Sequence, residues 1–244
     1  MKVGYSKYKH NGGHVKVAAG EAKGNAIGGS VDIAAGNGTS STGRGGSVSI
    51  AAGNSSGESP FDVAGHLTMT AGSANKGDGG AVSIQSGGST EKDSGAIVIA
   101  TAASGSEGMS GSLSMSTGSS KRGNSGEISI RTGDSDAYYT ASTNRKTGGG
   151  GNITLAVGTA NFGRGGYMKL SAGSTTGFSR YDVWNPIDVT GGEIEMTSGS
   201  SKESHSGHIE IATAPAGMRG VSGYLKLQTG DASSGDAGTI GKSE

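Results

Sequence analysis

The sequence predicts an all-β fold, a β-solenoid built from about thirteen short strand-turn repeats. Three observations point there: a nine-residue unit that recurs along the chain, period-two alternation inside each unit, and glycine at both of its ends. The unit is (G/S)-G-x-Φ-x-Φ-x-(A/T/S)-G, with Φ aliphatic or Met, written for example "GGSVDIAAG", "GGSVSIAAG" and "SGEISIRTG". Its second glycine falls at Gly13, Gly29, Gly46, Gly65, Gly80, Gly95, Gly111, Gly126, Gly151, Gly166, Gly192, Gly207, Gly223 and, in a clipped copy, Gly238. Most spacings between these marker glycines are 15 or 16 residues, with longer gaps of 19, 25 and 26. A fixed period of this kind is the mark of repeat architecture, in which no single unit buries its own apolar face.

Within a copy, apolar and polar residues alternate. Val48, Ile50 and Ala52 take one face, and Ser47, Ser49 and Ala51 the other. That is the pattern of a strand with one covered face. Helix is disfavoured by the glycine pairs, the β-branched residues and the lack of i, i+3, i+4 apolar spacing. The expected core is thin: two aliphatic rows and a third of small residues, Ala19, Ala35, Ala52, Ala71, Ser86, Thr101, Thr117 and Thr132.

Two units per coil are expected, giving two flat parallel sheets whose aliphatic rows face each other. The outward charges favour this over one unit per coil, because Glu195 then lies beside Lys226 rather than beside Glu210. The whole chain, 1–244, reads as one repeat domain, with residues 1–11 as a weak N-terminal cap or arm.

Composition limits the function. Of 244 residues 50 are Gly, only 31% are hydrophobic, and twenty basic residues balance twenty acidic ones. A neutral chain has no electrostatic drive toward nucleic acid. It also lacks an apolar run long enough for membrane insertion. No signal peptide is visible at the N-terminus. With no cysteine, disulfides and thiolate metal sites are excluded. The histidines His14, His66 and His208 occupy one outward slot in distant copies, and the acidic pair Glu193 and Glu195 lies on an outward face. Neither pattern builds a metal or catalytic site, and Gly-rich stretches without a following helix are turns rather than phosphate loops. No cofactor and no enzymatic activity are expected.

Three turns are longer than the rest: 54–63, 134–148 and 174–190. They carry Phe61, Tyr138, Tyr139, Phe178, Tyr181 and Trp184, six of the eleven aromatic residues. Aromatic side chains on insertions of a repeat protein make these six the candidate interface.

At the level of "GGSVSIAAG" and "GGAVSIQSG" alternating with Gly/Ser/Thr turns, the chain resembles the Gly/Ser-rich β-solenoid repeat proteins of algae and other microbial eukaryotes. The resemblance spans nearly the whole chain and implies a surface or extracellular protein, with no functional residue to carry over. The expected role is a structural one, a self-assembling subunit of an extracellular or cell-surface filament whose partner is itself. The competing expectation is a binding module, an adhesin-like stalk for surface glycans or, less in keeping with the outward residues, an ice-binding face.

Overall fold

The computed structural model describes residues 12–136, 149–176, 190–233 and 235–241. The chain divides into two units, Met1–Met115 and Ser116–Glu244, with the boundary inside the seventh copy of the repeat.

The period-two character survives in the copies where an outward residue is itself large and apolar, those with Val98, Tyr167 and Tyr224. Ile97 and Ile99 are 51% and 65% exposed, while Val98 between them is 84% exposed. In all thirteen full copies the first aliphatic residue is less exposed than the second. The hydroxyl of Thr197 donates to Glu195, two residues away, the spacing that puts both on one face of an extended segment.

The all-β solenoid does not form. Among the described residues there is no strand and no helix, and therefore no pair of flat parallel sheets. A ladder needs backbone bonds at every second residue along two neighbouring segments. Here a copy meets the next at a single backbone bond, at the base of the intervening turn: the marker-glycine N–H donates to the carbonyl of the glycine that closes the preceding copy. Gly29 to Gly20, Gly46 to Gly36, Gly65 to Gly53, Gly80 to Gly72, Gly95 to Gly87, Gly192 to Gly173 and Gly207 to Gly199 do so at 2.8–3.0 Å. All seven join consecutive copies. The expected pairing of alternate copies, two per coil, is absent among the described residues.

One bond per junction contributes only about 1 kcal/mol. That is too little to align two whole segments against a backbone ordering cost of about 1–2 kcal/mol per residue. Nor does apolar burial make up the difference, because no described hydrophobic residue is buried. The accessible surface, 25,647 Å², is well above the roughly 9,900 Å² expected of a compact chain of this mass and nearer the roughly 34,500 Å² of an unfolded one. Among the described residues the aliphatic positions of the copies stay at least half exposed.

Candidate functional site

The surface available for function has two parts: the aliphatic rows and the turns. Each is positioned by the junction glycines.

A Cβ added to a marker glycine would meet the third-row residue of the preceding copy. At Gly46 it would lie 3.2 Å from the Cβ of Ala35, and at Gly126 it would lie 3.3 Å from the Cγ2 of Thr117. This close approach explains why the repeat keeps glycine there. The presence of the backbone bond follows the third-row residue, although two of the unbonded junctions also carry Ala102 and Ala214 in place of the closing glycine. All seven bonded junctions carry Ala or Ser, at Ala19, Ala35, Ala52, Ala71, Ser86, Ala172 and Ser198. The junctions with Thr or Val, at Thr101, Thr117, Thr132, Val157, Thr213 and Thr229, have none. The γ-carbon of the branched residue comes closest at Gly126, Gly151 and Gly166, while at Gly111, Gly223 and Gly238 the Thr atoms lie at ordinary contact distance, 3.6–3.8 Å. At Gly166 an added Cβ would be 2.5 Å from Val157 Cγ1. Sequence reasoning treated Ala, Ser and Thr as one small-residue class and missed this division. The signal was the β-branch.

Two of the three longer turns are closed at the base by the same glycine pair, and the one between Gly133 and Gly151 is not. The turn after Gly53 is shut by the Gly65–Gly53 bond at 2.9 Å, and the turn after Gly173 by the Gly192–Gly173 bond at 2.9 Å. Thr175 adds a hydroxyl bond to the Thr190 carbonyl at 2.6 Å. The junctions flanking 54–63 and 174–190 thus keep the same glycine-to-glycine bond as the short turns that have it.

Six turns share one length, eight residues from closing to marker glycine, and five of them are held in one of two ways; the sixth, 72–80, has Ala74 second and Gly77 fifth without a positive φ. In 87–95 and 199–207 the fifth residue is Lys92 or Ser204, and a serine stands at the second position. Ser89 Oγ accepts the amides of Glu91 and Lys92, at 3.3 and 2.9 Å. Ser201 Oγ accepts those of Glu203 and Ser204, at 3.4 and 3.0 Å. Where the second residue is Ala160 or Ala232 no hydroxyl is available, and the fifth is a glycine with positive φ: Gly163 at 84° and Gly235 at 104°. Local side-chain bonds and left-handed glycine are alternative solutions to one turn.

Of the six candidate interface residues, Phe61 is described. It sits in a tight Ser59–Asp62 turn: the Asp62 amide donates to the Ser59 carbonyl at 3.0 Å, the Phe61 amide to Ser59 Oγ at 3.2 Å, and the Ser59 amide to Asp62 Oδ2 at 3.3 Å. The backbone is held while the ring stays 88% exposed. Tyr138, Tyr139, Phe178, Tyr181 and Trp184 lie outside the described residues. The structure adds exposed apolar residues on other turns, Ile27, Met109, Phe162 and Met218, which a search restricted to aromatics on long insertions passes over.

No family model, curated protein or solved structure matches this chain. Among the described residues no three His, Asp or Glu side chains come together as a metal site, and no helix is long and apolar enough to cross a membrane.

Proposed function

We infer that the protein is a structural, non-catalytic one: a repeat-built subunit that assembles with copies of itself into an extracellular or cell-surface filament. The single observation carrying this reading is that no described hydrophobic residue is buried, although each full copy contributes two aliphatic residues in strict order. An exposed apolar surface this extensive marks an association surface. Neutral net charge supports the reading, since it leaves copies without mutual repulsion. Placement at a cell surface follows the resemblance noted above. The test is direct: sedimentation of the full chain over a hundredfold concentration range, with negative-stain imaging of the same samples. Growing species and fibres are expected. A chain that stays monomeric at the highest concentration rules the reading out.

One observation favours a second reading, a binding stalk. Phe61 presents its ring from a backbone-anchored turn, an arrangement suited to stacking on a sugar. A glycan array run with wild type and Phe61→Ala decides it, with loss of a specific signal in the variant as the supporting result.

A further inference from the structure

We propose that the surface joining two copies is the aliphatic row of Met1–Met115, packed against the same row of a second copy. This rests on the self-assembly reading and names the face that carries it.

The first aliphatic position of the full copies is 50–60% exposed and the second 58–74%. The row is therefore half open along its length rather than open at one spot. Fourteen such residues fall in this unit, among them Val31, Ile33, Val48, Ile50, Val82 and Ile84. If each leaves on the order of 50 Å² of apolar side chain uncovered, the unit offers about 700 Å². A stable interface takes about 800 Å² from each partner. The row thus matches in size what one copy has to supply.

Regularity points to a second copy as the occupant. Five of the six junctions in Met1–Met115 are bonded, so successive copies are held at the same point. A surface that covers this row has to repeat with the same interval, and the row itself does. Charge agrees: residues 1–115 contain eight Lys/Arg and eight Asp/Glu, so two such units meet without net repulsion. Because the row repeats, two copies also fit when shifted by a whole repeat. A shifted pair leaves uncovered units at each end, the heterologous contact that grows into an open filament.

The experiment compares Val48→Glu with Ile50→Glu, as a double variant on the row, against Ser47→Glu with Ser49→Glu on the opposite face of the same copy. Both carry the same added charge two residues apart. Association is measured by sedimentation, and amide exchange at Gly46 and Gly65 checks that the junctions remain closed. With wild type assembling, at least a hundredfold weaker association is expected for the row variant and less than a threefold change for the control. Equal effects of the two variants, or none, overturn the row as the interface while leaving assembly intact. A wild-type chain that does not assemble removes both the filament reading and this one. Wild-type chain that leaves solution for neutral phosphatidylcholine vesicles, and fails to do so as the row variant, assigns the row to lipid and overturns the second copy as occupant.

Discussion

Residues Met1–Met115 and Ser116–Glu244 are written in the same nine-letter unit, yet they close it differently. In the first, five of six junctions have the glycine-to-glycine backbone bond; in the second, two of seven do. Turn length does not account for this, because the junction after the long insertion at 174–190 is bonded and the one after the short turn 159–165 is not. The third-row side chain tracks it. It is Ala or Ser at the bonded junctions and Thr or Val at the others. At four of the six unjoined junctions, those with Thr117, Thr132, Val157 and Thr229, both glycines are kept and the β-branch is the difference in the copy.

This comparison can be broken most forcefully by branching the small residues of the first unit. Ala35→Val, Ala52→Val and Ala71→Val together should open three junctions, each about 1 kcal/mol. The amides of Gly46, Gly65 and Gly80 should then exchange about fivefold faster, as read by hydrogen exchange. Unchanged protection at all three would falsify the branching rule. The reverse change, Val157→Ala, should close a junction in the second unit. It predicts roughly fivefold slower exchange at the Gly166 amide, again about 1 kcal/mol.

A smaller effect concerns the turns. Ser201→Ala removes the acceptor of two amides and should cost about 0.5–1 kcal/mol, seen as faster exchange at Glu203 and Ser204. Adding Ser204→Gly should restore most of the loss, because the fifth position then adopts the left-handed conformation of Gly163 and Gly235. No rescue would mean that the two turn chemistries are not equivalent.

The smallest effect is expected at the closing glycines. A Cβ at Gly53 or Gly87 would meet nothing within 4 Å, and neither has positive φ. Gly53→Ala should be neutral or stabilising by a few tenths of a kcal/mol through the unfolded chain. A large loss would show that the closing glycine is needed by something outside the single chain, such as a neighbouring copy.

The repeat, its interval and the alternation within a copy were legible in the sequence. Val48 and Ile50 announce their shared face by spacing, and Gly46 announces a close approach by recurring. The all-β ladder was the natural extrapolation, and it failed at Thr117 and Val157 as much as anywhere. Alternation states which face a residue takes, but not whether a neighbouring segment arrives to bond with it. Phe61 was legible as an exposed ring on an insertion. Ile27, Met109 and Met218 were not, because nothing in their local pattern separates a turn residue that folds inward from one that stays in water.

The linear order of residues alone determined periodicity, polarity and turn chemistry, since each depends on neighbours a few positions apart. Only the tertiary structure decided that consecutive copies meet at one glycine pair and that the aliphatic rows stay open. Those outcomes involve whether a β-branch fits beside a backbone 9 to 19 residues further along. They turn also on whether enough apolar surface converges to offset chain ordering, and a sum over distant parts of the chain cannot be read from any one of them.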